Sequence, residues 1–184
     1  DELSVAPLRS AVEDEPGCLV AALLLGDVLR DVCEDCAGAR KYWQRALAIN
    51  PRCRGAWMRL GQMALDGHLS EVDSDAEEEE EDPALDDSAV RACVGTACWH
   101  FRSALAIDAA DDYEDAIAHF ALGSAQAKLL TLRGDVGADG EAALAEEKAI
   151  AHATAMSHLE RAVVLSPQTR VFQMMRDTVA RSAP

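Results

Sequence analysis

The sequence predicts an all-α fold, and three observations predict it. About half the residues are apolar (49%) but only 4% are aromatic. Alanine makes up much of the difference, and such a mixture suits close-packed helices better than a sheet, which favours β-branched and aromatic side chains. Second, a small–large–small triplet with spacings of four and three occurs three times: Ala39, Trp43, Ala46; then Ala97, Phe101, Ala104; then Ala155, Leu159, Ala162. Those spacings set each triplet on one face of a helix. Third, Leu25-Gly26, Leu60-Gly61 and Leu122-Gly123 stand inside three apolar helical stretches. Glycine within a helix costs about 1 kcal/mol relative to alanine, so its return at one place points to a tight helix–helix contact.

The elements follow in order. Residues 1–16 read as a polar lead-in or a short helix. Helices are predicted in pairs at 17–33 and 36–49, at 52–67 and 88–107, and at 112–132 and 141–165. Pro51 and Pro167 follow two of the triplets by five residues and end those helices. Between the pairs' members lie an acidic insertion over 68–87 and a glycine-rich loop over 133–140. Val171, Phe172, Met175 and Val179 recur at helical spacing, which predicts a closing helix over 168–182.

Internal repetition organises the whole. Arg45-Ala46-Leu47-Ala48-Ile49-Asn50-Pro51 returns as Ser103-Ala104-Leu105-Ala106-Ile107-Asp108-Ala109, and more loosely from Arg161 to Pro167. Ahead of these stand Trp57-x2-Leu60-Gly61-x2-Ala64 and its degraded copies, Ala22-x2-Leu25-Gly26-x2-Leu29 and His119-x2-Leu122-Gly123-x2-Gln126. Together they resemble the tetratricopeptide-repeat (TPR) family, with its W-x2-L-G-x2-Y, A-x3-F-x2-A and final proline. The resemblance spans roughly Cys18 to Pro167. It implies an α-solenoid of three antiparallel helix pairs with a C-terminal capping helix, in a single TPR-like domain over 1–184. Repeat one is expected over 17–51, repeat two over 52–109 and repeat three over 112–167, the last two interrupted between their helices. The plain alternative is a set of unrelated helical hairpins that converged on alanine-rich packing.

The formal charge is −16 at pH 7, and Glu71 to Asp87 contributes eleven acidic residues with no Lys or Arg, leaving −5 elsewhere. Strong negative charge argues against DNA or RNA, whose phosphates demand basic clusters, and against an anionic membrane surface. No stretch reaches the length of a membrane-spanning helix. A sequence opening at Asp1 leaves room for a preceding targeting segment. The arm formed by Glu71, Asp73, Asp75, Glu77, Glu78, Glu79, Glu80, Glu81 and Asp82 is expected to be disordered in isolation. It is either a solubilising insertion or an electrostatic arm for a basic client such as a histone or ribosomal-protein tail. Ser70 and Ser74 each have an acidic residue three positions on, a pattern suited to acidophilic kinases.

Six cysteines, Cys18, Cys33, Cys36, Cys53, Cys93 and Cys98, read as small buried thiols of a reduced compartment, the cytoplasm first and the nucleus second. Cys33-Glu34-Asp35-Cys36 is a CxxC at a helix–helix turn rather than after a strand. Its acidic neighbours would raise a thiol pKa. A zinc site would need two more ligands from Cys93, Cys98 or His100, so the expectation is packing at a turn. The five histidines form no HxxxH pair or HExxH motif, and His152 and His158, six apart, face different ways. No nucleophile elbow or phosphate-binding loop is present. No enzyme, cofactor or metal is expected.

What the resemblance implies is protein binding. By position within each repeat, the exposed groove residues would be Asp27, Arg30, Met58, Gln62, Phe120, Ser124 and Lys128. Asp27 and Gln62 stand where a chaperone-type carboxylate clamp has other polar residues, and its basic set is missing, so an amphipathic helix or extended peptide fits better. Three roles come into view. One is an adaptor or scaffold subunit, and another an acidic chaperone of basic clients. The third is a mitochondrial import receptor, since Trp57 to Arg176 is similar to the plant-type outer-membrane receptor subunit. The extra repeat before Trp57 and the lack of an anchor count against the third.

Overall fold

The computed structural model describes residues 2–67, 87–133 and 138–182, and every regular element among them is helical. The helices are α1 (Glu2–Asp14), α2 (Leu19–Asp31), α3 (Cys36–Ile49), α4 (Arg54–Leu65), α5 (Asp87–Leu105), α6 (Asp112–Lys128), α7 (Ala138–Leu165) and α8 (Arg170–Arg181). A 3₁₀ turn, Leu129–Thr131, finishes α6. The lead-in is thus helical. α7 begins three residues before the predicted 141, so Ala138 to Gly140 belong to the helix rather than the loop. α6 closes at Lys128 because its last turn tightens.

Local signals account for several boundaries. Asp35 caps α3, its carboxylate accepting from the Gly38 N–H at 2.7 Å. Asp111 does the same for α6 through the Glu114 N–H at 2.8 Å, and Glu114 reaches back to the Ala110 N–H at 3.0 Å. This reciprocal arrangement satisfies amides that the helix itself leaves orphaned. Asp112, Glu114 and Asp115 add negative charge in the first turn of α6, where the helix dipole favours it.

Each helix packs on the next in the chain, most extensively within α2/α3, α4/α5 and α6/α7. Beyond chain neighbours, α4 lies against α6, and α6 against α8. Side-chain bonds tie α2 to α4. The even-numbered helices therefore form a row, and α3, α5 and α7 each lodge on it.

The repeated motifs make the three main pairings. Trp43, Phe101 and Leu159 are at most 1% exposed, and the alanines flanking them in each triplet are fully buried. Each large side chain lies over the glycine of the preceding helix. A Cβ added at Gly26 would come 2.6 Å from Trp43 Cδ1, one at Gly61 2.6 Å from Phe101 Cδ1, and one at Gly123 2.7 Å from Leu159 Cγ. The glycine thus removes the one atom that would hold the helices apart. Complete burial of a side chain this size contributes about 1.5–3 kcal/mol, which exceeds the helix propensity that glycine gives up. Among the described residues no polar or charged residue is buried.

Candidate interaction surface

The row α2, α4, α6 carries the seven groove residues, and Asp27, Arg30, Gln62 and Lys128 are each occupied by a neighbour outside the set. Asp27 on α2 accepts from Trp43 Nε1 at 3.1 Å and from Arg59 Nη2 on α4 at 2.6 Å, with Arg59 Nε on its other side. The bond to Asp27 is the largest cause of a raised Arg59 pKa. One turn along, Arg30 Nη2 donates to Asp66 Oδ2 at 2.9 Å, and Gln62 Nε2 to Asp66 Oδ1 at 2.8 Å. From α6, Lys128 Nζ donates to the Leu65 carbonyl, an acceptor left over at the end of α4. Asp27, Arg30 and Lys128, expected to face a ligand, instead link neighbouring helices, while Gln62 bonds along its own.

The expectation of an exposed set is therefore corrected. Only Lys128 is exposed; Asp27, Arg30, Met58, Gln62, Phe120 and Ser124 are half-buried. Phe120 fails as a groove residue because α8 lies beside α6, setting Phe172 against it at a ring separation of 4.8 Å. Ser124 Oγ is buried with no hydrogen-bond partner. Met58 packs partly on the core behind α4. Its free edge lines a recess of about 140 Å³ with Arg54, Gly55, Glu114 and Ile117. Arg54 fixes that recess, donating to the Ile107 carbonyl at 2.9 Å, the Glu114 carbonyl at 3.0 Å and Asp115 Oδ1 at 2.7 Å. Exposed apolar side chains on the row are Val20 and Leu24 of α2 with Tyr113 and Ile117 of α6.

The acidic arm, with Ser70 and Ser74, lies outside the described residues. The CxxC occupies the turn between α2 and α3, with Cys33 exposed, Cys36 half-buried and Glu34 at φ 57°. Among the described residues, no three of His, Cys, Asp and Glu are grouped so as to hold a metal ion. No helix there is long and apolar enough to cross a membrane.

No family model and no curated protein matches this chain.

Sequence reasoning missed two ring clusters. Trp57, Trp99 and His100 meet mutually, Trp57 and Trp99 edge to face at 5.2 Å. His119 and His158 meet Nδ1 to Nδ1 at 2.9 Å across α6 and α7. A signal for both was present. Trp57 and His119 each open a Leu-Gly motif, and His100 and His158 each directly precede the large triplet residue. Superimposing the repeats pairs Trp57 with His100 and His119 with His158. His152 faces another way, its Nε2 lying 2.9 Å from the Val179 carbonyl, as the spacing of six required.

Proposed function

We propose that this chain is a TPR-like α-solenoid that acts as a protein-binding scaffold or adaptor, not as an enzyme, in the cytoplasm or nucleus. The observation that carries this reading is the thrice-repeated docking of a large side chain on a helical glycine, at Gly26/Trp43, Gly61/Phe101 and Gly123/Leu159. A structural unit repeated along a row builds an extended surface, which suits a long partner segment better than a small substrate. The recess between Met58 and Ile117 would take one apolar anchor of that segment. Val20 and Leu24 would extend the contact onto α2.

The test starts with peptides selected on the purified protein and measured by fluorescence polarisation. Met58→Asp and Ile117→Asp should each weaken a selected peptide at least ten-fold, with Val164→Asp on α7 as the control. Equal affinity for all variants would remove the groove from consideration.

A second reading, an acidic chaperone of basic clients, draws on the eleven acidic residues placed between the paired helices α4 and α5. Deleting residues 70–87 should then abolish binding of a lysine-rich peptide and its steep salt dependence. Binding unchanged by the deletion would exclude this role.

A further inference from the structure

We propose that the cleft between the N-terminal half of α7 and the end of α6 receives a basic side chain, lysine or arginine, of a partner protein. It includes none of the seven groove residues, so the two surfaces can fail separately.

The cleft arises where two elements outlast the repeat. α3 begins seven residues before Trp43, α5 fourteen before Phe101 and α7 twenty-one before Leu159. Each of these helices therefore starts about two turns earlier than the one before. α4 ends five residues after Leu60, whereas α6 with its 3₁₀ turn runs to nine after Leu122. α7 packs on that extra length. A cleft of about 340 Å³ lies there, with Gln126 and Leu129 on one side. On the other are Ala143, Glu146, Glu147, Ile150 and Ala151, whose spacing sets them on one face of α7. From α5, Arg91 holds Glu147 in a two-pronged bond, Nε to Oε1 and Nη2 to Oε2, each at 2.9 Å. Gly95 stands one turn on from Arg91, and nothing lies within 4 Å of a Cβ added there, so α5 leaves space beside this bond.

Much of the lining is aliphatic, and Ile150 is 61% exposed. The polar groups divide cleanly. Glu147 is taken by Arg91, and Gln126 Nε2 donates to Cys98 Sγ at 3.0 Å. What remains is Gln126 Oε1 and the exposed carboxylate of Glu146, which makes no ion pair or hydrogen bond among the described residues. Both can only accept. Lys148 stands two residues from Glu146 and so does not face it. An occupant must therefore bring an apolar stem and a donating, positive head. Lysine and arginine side chains have that form, with a stem that buries and a head that stays at the polar rim. One unpaired carboxylate matches one positive charge. A free diamine would bring a second ammonium with no free carboxylate in the lining to meet it. The chain's charge of −16 would also draw a basic segment towards this surface.

The experiment uses the full chain with labelled isoleucine methyl groups, followed by NMR. Its isoleucines are Ile49, Ile107, Ile117 and Ile150; Ile150 reports the cleft and Ile117 the groove. Nα-acetyl-lysine methylamide and its arginine counterpart are titrated at physiological salt. Expected is a saturable, millimolar shift of Ile150 with at least one of them, with Ile117 unmoved. The norleucine counterpart, which keeps the stem and lacks the charge, should bind at least three-fold more weakly. Glu146→Gln should weaken the basic amide about three-fold, the size of a partly exposed ion pair, and leave the norleucine amide unchanged. Ala143→Trp fills the cleft from an exposed position and should abolish the Ile150 shift with an unaltered circular dichroism spectrum. Non-saturating shifts of all the isoleucines would mean diffuse attraction by net charge and would overturn the proposal. Equal affinity for the basic and norleucine amides, or for the wild type and Glu146→Gln, would do the same. Tighter binding of 1,5-diaminopentane than of either basic amide would assign the cleft to a free amine and overturn its assignment to a protein.

Discussion

Gly26 of α2 lies directly under the indole of Trp43 on α3, close enough that a methyl group at Gly26 would overlap the ring, 2.6 Å from Cδ1. The indole has little freedom to move away, because its Nε1 is bonded to Asp27 at 3.1 Å and its surface is buried. Gly26→Ala should therefore destabilise by about 1–3 kcal/mol despite alanine's better helix propensity. Gly61→Ala should behave alike. At Gly95 in the middle of α5 nothing lies within 4 Å of an added Cβ, and Gly95→Ala should stabilise by about 0.5–1 kcal/mol. Urea unfolding of the three variants checks the opposite signs.

Asp27 holds two elements at once, α3 through Trp43 and α4 through Arg59. Asp27→Ala should cost about 1.5–3 kcal/mol, since it strands a half-buried guanidinium as well as losing bonds. Asp27→Asn keeps one acceptor and should cost less. A double-mutant cycle with Arg59→Met measures the pair; a coupling near zero would show the contact to be incidental.

Stability should fall with acid. His100, His119 and His158 all have lowered pKa values, with burial the first cause in each. The unfolded chain, near the ordinary value of about 6.5, then binds protons that the folded chain refuses. Their contribution is complete above about pH 6.5 and is lost as pH falls through the lowered values. Thermal melts from pH 7.5 to 5 should show this loss. Replacing His119 and His158 with Asn should flatten the curve.

The thiols should separate by rate in native protein. Cys33 is exposed, whereas Cys53 and Cys98 are 8% and 3% exposed. Burial also raises the Cys98 pKa, outweighing the Gln126 bond. Iodoacetamide followed by mass mapping should label Cys33 first and Cys98 last. Early labelling of Cys98 would mean that α5 and α6 part readily.

The helices and their main contacts were legible because both depend on spacing. The triplets and the Leu-Gly pairs each mark one helical face, and the structure brings those faces together. The groove was less legible. Spacing places Asp27, Arg30 and Gln62 on the row, but it does not say that Arg59 of α4 and Asp66 just past its end will take up their polar ends. Phe120 was misplaced for a related reason: the closing helix was foreseen, but not that its Phe172 would lie over the end of the row. The His119–His158 pair needed comparison between repeats, because neither histidine has a partner nearby in the sequence.

The join between α4 and α5 has one more consequence. It takes 21 residues from Leu65 to Asp87, where α2 and α3 are joined by four. Closure entropy grows only with the logarithm of the connecting length, so the longer join costs about 1.5 kcal/mol more. The docking of Phe101 on Gly61 is of the size needed to offset that. Evolution is thus free to lengthen, shorten or recharge this join at small thermodynamic expense, provided Gly61 and Phe101 stay. The cost falls on kinetics instead: α2/α3 can assemble from a local encounter, and α4/α5 must wait for a longer search.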